Sequence, residues 1–364
     1  MEILDRSFRI YRRNFFPFFL LALIVQIPLA VIATAITEPQ AVAFQASLTR
    51  MGVQPNQSTM TPEQAQTIMG PLISGLIGLF VVVILVSLIS LLIQLVLVNG
   101  TLTYITSENH LGRETTLGGA LRAVAARLQA VLSGLASFYA AFAVALIGIS
   151  LVICPCGVGL IFVFALGGGT QITQVVALCI VGLEFGVIGY GYLAGSSLLV
   201  PILTLERGNI TTNLGRSWML GKSRIWAVLA ITAAIAIVNG IVVAAISTLA
   251  TRSFGSAPST GAQVLASVLA TLPAALFAPL LPIAYTEIYF DARVRLEALD
   301  VALKSVNAPD AAVKDVPAPA GGRFLAGDDF LNIALFAVGG LILMLLYYFL
   351  IMTAFGSQFG RIGP

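Results

Sequence analysis

RSFRIYRRNFFPFFLLALIVQIPLAVIATAI, residues 6–36, sets four arginines among aromatic residues and then runs from Phe15 to Ile36 without a single charge. About 20 apolar residues in a helix cross the hydrocarbon core, where every backbone polar group must be satisfied within its own segment. The stretch therefore reads as a membrane span with a cationic lead-in at one membrane surface. It also resembles a secretory signal, with Ala33-Thr34-Ala35 as a cleavage site, but the apolar run exceeds a usual signal core of 7–15 residues. A retained first helix is the expectation.

The rest of the chain agrees with that start. Of 364 residues, 58% are hydrophobic and 10% charged, with a mean hydropathy of +0.99. So little charge cannot cover a soluble globule of this size. Further apolar runs at 72–98, 129–153, 175–204, 226–250, 264–289 and 330–353 predict an all-α polytopic membrane protein of about seven transmembrane helices. The apolar stretch 157–169 is too short to cross, and reads as an extension or re-entrant piece of the third-to-fourth hairpin. Between Glu38 and Met69 the chain is polar and reads as an exterior loop, in which Asn56-Gln57-Ser58 is a short sequon of little weight.

Charge placement fixes the expected orientation. With seven spans and a cytoplasmic N-terminus, sixteen of the nineteen Lys and Arg fall inside, and only Arg50, Arg252 and Arg361 fall outside. The C-terminus is then exterior, in a multi-pass cell-membrane protein. The net charge of +3, held close to the bilayer, speaks against a nucleic-acid partner.

The opening motif recurs. RSWMLGKSRIW, residues 216–226, places Arg216, Ser217, Trp218, Leu220 and Lys222 where the first copy has Arg6, Ser7, Phe8, Ile10 and Arg12, and a weaker third copy, LRAVAARLQAVL, occupies 121–132. Each copy precedes a span. The chain thus reads as three hairpin units, each a basic interfacial helix plus two spans, making a membrane domain over 1–304. A Pro/Ala/Gly-rich cytoplasmic linker at 305–329 and an additional span with a short tail at 330–364 follow. Helices of this kind suit the headgroup layer, so Arg6, Arg9, Arg12, Arg13, Arg216, Lys222 and Arg224 are candidate contacts to lipid phosphates, anionic lipids above all; alternatively they only fix topology.

LDRSFRIYRRNF at 4–15, PILTLERGNITTNLGRSWMLGKSRIW at 201–226 and PIAYTEIYFDARVRLEALD at 282–300 together resemble the glycerophosphoryl diester phosphodiesterase membrane-domain family, over about residues 1–304. The resemblance implies the membrane module of that family without its catalytic barrel. The barrel's metal-centred chemistry would need clustered acids and histidines, and this chain has one histidine, His110. No enzyme activity, cofactor or metal is expected.

Inside the spans, Glu184 stands out because a bare carboxylate in hydrocarbon is costly and should face the bundle or a wet cavity. Its candidate partners are Gln26, Gln94, Asn239, Tyr190 and Tyr285, and with it Tyr190, Asn239, Gln94 and Tyr285 form the expected intramembrane polar site. Gly182, Gly186, Gly191 and Gly195 read as close-packing positions, and Pro273, Pro279 and Pro282 should kink the sixth span. Beyond it, Asp291–Arg295 and Arg293–Glu297 are spaced to pair along a continuing helix. Cys154-Pro155-Cys156 reads as a turn between helices, and His110 as solvated. Function reads as a membrane scaffold or a module associating with lipids or with another membrane protein. The alternative is a transporter or exporter of a lipidic or amphipathic solute that uses Glu184 and the kinked sixth span.

Overall fold

In the computed structural model, which describes residues 2–50, 62–165, 171–254, 260–306, 313–316 and 326–359, the regular elements are helical, with no strand among the described residues. In chain order the helices are α1 (Glu2–Arg13), α2 (Phe15–Arg50), α3 (Pro62–Ile93), a π-helical stretch (Gln94–Gly100), α4 (Thr101–His110), α5 (Leu117–Ala125), α6 (Leu128–Ala165) and α7 (Gln171–Ser196). There follow α8 (Leu199–Leu205), α9 (Ile210–Ser223), α10 (Ile225–Phe254), α11 (Thr260–Phe277), α12 (Leu280–Glu297), α13 (Leu299–Ser305) and α14 (Gly327–Phe359).

The chain is an all-α polytopic membrane protein. Six stretches of the described residues are long and apolar enough to cross a bilayer: Phe15–Ala43, Gly75–His110, Leu128–Gly148, Gly182–Leu205, Ile225–Ile246 and Val268–Glu297. Large apolar side chains along them face outward, as Ile24, Phe80, Val144 and Ile241 do. Water would penalise such a surface; acyl chains do not. The expected seventh span lies in α14, whose side chains beyond Leu346 are outside the described residues.

The order of helices reproduces the repeat. A short helix precedes two long ones three times: α1 before α2 and α3, α5 before α6 and α7, α9 before α10 and α11. The acids Glu2 and Asp5 sit in the first turn of α1 and Arg12 and Arg13 in its last, which complements the helix dipole. Thr116 caps α5 through its hydroxyl, which accepts from the Gly119 N–H at 3.2 Å.

Some boundaries differ from expectation. α6 continues through Cys154-Pro155-Cys156 to Ala165, so no turn occurs there and 157–165 extends the third span; the cysteine side chains lie outside the described ones. α2 runs on to Arg50, because the segment after Glu38 is rich in Ala and Gln, which are good helix formers. The Asn56 sequon and most of 305–325 lie outside the described residues.

The chain divides into two compact units, Met1–Leu128 with Ala230–Glu287, and Gln129–Leu229 with Ile288–Pro364. Residues 1–304 contribute to both units, while 305–364 belong to the second. The first unit's core gathers Tyr11, Phe18, Leu21, Val98, Leu102, Ala275 and Ile283. In the second, α14 lies directly on α7: a Cβ on Gly182 would collide with Leu341 and one on Gly186 with Ala337, so glycine alone permits the approach.

Candidate intramembrane cavity and charged clusters

The first unit holds an open-sided cavity of about 680 Å³, within the size range of small-molecule sites, which runs from roughly 300 to 1,000 Å³. Four segments line it: α2 through Gln26, Ala30 and Ala33; the end of α3 and the π-helical stretch through Ser90, Gln94 and Asn99; α10 through Thr232, Ala236 and Asn239; and α11 into α12 through Ala270, Ala274, Ala278 and Pro282. Space exists because these positions carry alanine where larger side chains would fill it. The sixth span is broken here, with α11 ending at Phe277 and α12 starting at Leu280. Pro279 and Pro282 supply no N–H to the ladder. At the break, the Leu276 carbonyl accepts from the Tyr11 hydroxyl at 2.7 Å, and burial pushes the Tyr11 phenol up to about 12.

The π-helical stretch has a local consequence. Residues five apart diverge on an α-helix, whereas the wider π turn, bonded from i to i+5, brings Asn99 round to the side of Gln94. Both then line the cavity. Two buried acceptors on lining residues, Oε1 of Gln26 and Oδ1 of Asn239, have no hydrogen-bond partner among the described residues. Gln26 is 9% exposed. A buried carbonyl oxygen without a donor is rare and points to a missing partner.

Of the expected polar site, Gln94 and Asn239 line this cavity, and Tyr285 stands behind Thr232, their hydroxyls 2.8 Å apart. Glu184 and Tyr190 belong to the second unit. Glu184, partly buried on α7, has no hydrogen bond or ion pair with a described residue. Tyr190 instead donates to Asp329 Oδ1 at 2.6 Å, while Lys222 Nζ and the Ala326 N–H reach Asp329 Oδ2 at 2.9 and 2.7 Å. Burial works against the charge on Asp329, but these bonds and the Lys222 charge outweigh it and hold the carboxyl below its ordinary range.

The cationic candidates separate into two environments. In the first unit, Arg6 meets Glu287 at 3.2 Å, Arg9 meets Asp5 at 2.8 Å and Arg13 meets Glu114 at 3.2 Å, with all three arginines more than half exposed. Arg12 is exposed as well. His110 is not a solvated loop residue: its Nδ1 lies 3.1 Å from Arg6 Nη2 and 3.4 Å from Glu287 Oε2.

In the second unit the cations are enclosed. Arg216 forks onto Glu206, Nε to Oε2 at 2.7 Å and Nη2 to Oε1 at 3.1 Å, and also reaches Glu297 at 3.1 Å. Tyr289 donates to Glu206 at 2.7 Å, and Arg293 donates to Tyr289 at 3.1 Å and to Glu297 at 2.7 Å. Burial alone would lower the Arg216 pKa, but the hydrogen bonds and charges of Glu206 and Glu297 raise it further above its usual value. Two guanidinium groups thus face two carboxylates, a neutral and hydrogen-bonded set. Arg224 pairs with Asp291; burial, and then the nearby Arg295, lower its pKa. The expected Asp291–Arg295 and Arg293–Glu297 pairs form at 2.8 and 2.7 Å.

Sequence reasoning missed Glu206, Glu287 and Asp329 as partners of the repeat's cations. Each was visible as a carboxylate at the edge of an apolar run, and Asp329 as an acid in the first turn of a helix. Searches of family models, curated proteins and solved structures find no match to the chain.

Proposed function

We propose that this multi-pass membrane protein is a lipid-associating module that holds an amphipathic molecule in the cavity of its first unit, with its N-terminus in the cytoplasm, in the cell membrane, and without catalysis of its own. The observation that carries this reading is the cavity: it lies among helices long and apolar enough to span a membrane, and two residues of its wall carry buried carbonyl oxygens with no donor among the described residues. A ligand reaching it from the bilayer would meet alanine and leucine surface for its chain and amides for its head. The exposed arginines of α1 suit contact with anionic headgroups. The sequence resemblance to the glycerophosphoryl diester phosphodiesterase membrane domain supports the same reading, that of a membrane module set in a lipid context.

The test fills the cavity. Ala274→Phe and Ala33→Phe put bulk into the lining, and lipid retained through purification in mild detergent is then extracted and measured by mass spectrometry. Wild-type protein should retain a defined lipid that both variants lose; equal retention in all three discards the proposal.

A second reading, movement of such a solute across or out of the bilayer, is favoured by one observation. The broken sixth span forms one wall of the cavity, and a broken helix can change its bend. Glu184 belongs to the second unit and is not among the described lining residues. Transfer of labelled lipid between leaflets of proteoliposomes, blocked by Ala274→Phe and indifferent to Glu184→Gln, is the expected result if solute moves.

A further inference from the structure

We infer that the cavity ligand is an uncharged amphipath that donates hydrogen bonds, an acylated polyol such as a monoacylglycerol, and not a phospholipid. This rests on the cavity binding proposed above and names the class of molecule bound.

Among the described residues the lining holds no ionisable side chain; its polar members are the amides Gln26, Gln94, Asn99 and Asn239 and the hydroxyls of Ser90, Thr232 and Thr271. Nor can a distant cation reach in along the same helices. No Lys or Arg occurs between residues 14 and 49, 51 and 112, 225 and 251, or 253 and 292. A phosphate seated against these amides would give up part of its hydration with no counter-charge to replace it, and the cost of desolvating an unpaired ion exceeds what neutral amides return.

The unpartnered atoms specify what the ligand must bring. Both are amide carbonyl oxygens, which accept and never donate. A ligand hydroxyl satisfies such an oxygen, whereas an ester or ether oxygen does not. The amide N–H groups of the same side chains can in turn donate to an acyl carbonyl. Amide torsions at Gln and Asn are broad, so each head group can turn its oxygen toward a bound hydroxyl without leaving a rotamer well. The polar inventory of the described wall, acceptors seeking donors with no charge present, therefore matches a glycerol head on one acyl chain.

The experiment uses the full chain in proteoliposomes and two diazirine-bearing probes with the same acyl chain, a monoacylglycerol and the corresponding lysophosphatidate, at equal mole fraction, with labelled peptides mapped by mass spectrometry. Labelling of the wall around residues 26–33 and 270–282 should favour the monoacylglycerol by about tenfold or more, given the penalty for desolvating an unpaired phosphate. Gln26→Leu combined with Asn239→Leu should reduce that labelling to the level of the phosphorylated probe. Thermal stability should hold or rise, since an unsatisfied acceptor has been replaced by an apolar group; a merely structural role for the amides would lower it.

Equal labelling by both probes, or stronger labelling by lysophosphatidate, overturns the inference and leaves cavity binding standing. Labelling of neither above that of Ala274→Phe overturns the cavity reading itself. A monoacylglycerol preference that survives the double substitution overturns the role given to the two amides. Should that variant fail to fold, the wild-type comparison of the two probes still decides.

Discussion

The two copies of the arginine motif begin alike and settle in opposite ways. In the first, Arg6 has a side chain 51% exposed against one buried carboxylate, Glu287; in the second, Arg216 is 4% exposed and shares two carboxylates with Arg293. Ser7 bonds back to its own helix, at the Ile3 carbonyl, while Ser217 reaches the Gly195 carbonyl of α7 at 2.5 Å. Where the first copy has Tyr11 extending to Leu276, the second has Gly221, which brings α9 onto the backbone of Ala194. Phe8 is half exposed, whereas Trp218 stands edge-on to Tyr190. One set of residue types can therefore anchor a helix at a wet surface or fasten it into a core. The outcome depends on which partners the rest of the chain supplies.

The widest separation between the copies should appear on removing the arginine. Arg216→Ala leaves Glu206 and Glu297 buried with one guanidinium between them, a loss of about 3–5 kcal/mol when a buried pair is broken. Arg6→Ala removes a half-exposed partner from Glu287, which keeps His110 at 3.4 Å, so the loss should be the smaller of the two. Thermal melting of each variant in detergent should place Arg216→Ala far below wild type and Arg6→Ala close to it. Similar midpoints for the two would mean that the second cluster is not fastened by its ion pairs.

Position 11 and its counterpart 221 sharpen the contrast. Gly221→Ala sets a Cβ against the Ala194 carbonyl, which is backbone and cannot swing aside; overpacking of this kind costs about 1–3 kcal/mol. Tyr11→Phe keeps the ring and loses one hydrogen bond to Leu276, a change of about 1 kcal/mol. The same melting assay should rank Gly221→Ala as the more damaging, and the reverse order would show that the first copy, not the second, is the tightly fastened one.

How much of this could be read beforehand follows from range. The spans and the threefold order of short and long helices depend on local hydropathy and on sequence self-similarity, so residues 6–36 and 216–226 announced them. The partners of the cations depend on tertiary placement: Arg216 finds Glu297 at 81 positions' remove and Lys222 finds Asp329 at 107. No spacing rule reaches that far. The cavity was half legible, since Pro279, Gln94 and Asn239 were visible as unusual residues in apolar runs. The π-helical turn that sets Asn99 beside Gln94 leaves no periodic signature in seven residues, Gln94–Gly100. Glu184 was conspicuous by charge alone, and charge alone does not say which neighbours a helix will present.

The smallest effect concerns acid, and it too should distinguish the copies. Arg12 is exposed, but its counterpart Lys222 is paired with Asp329, whose side chain is 6% exposed. Because Tyr190, Lys222 and the Ala326 N–H lower the carboxyl's pKa in the folded chain, the stability it contributes is complete above its unfolded value of about 3.9 and is lost as pH falls through the lower, folded value. Melting midpoints should thus be level across neutral pH and fall below about pH 4, with part of that fall absent in Asp329→Asn. The exposed Arg9–Asp5 pair of the first copy, open to solvent screening, should give no comparable change when Asp5 is replaced by Asn. An acid profile identical in wild type and Asp329→Asn would show that the Tyr190–Asp329–Lys222 set is a contact of convenience, and that the second copy is held by the Arg216 cluster alone.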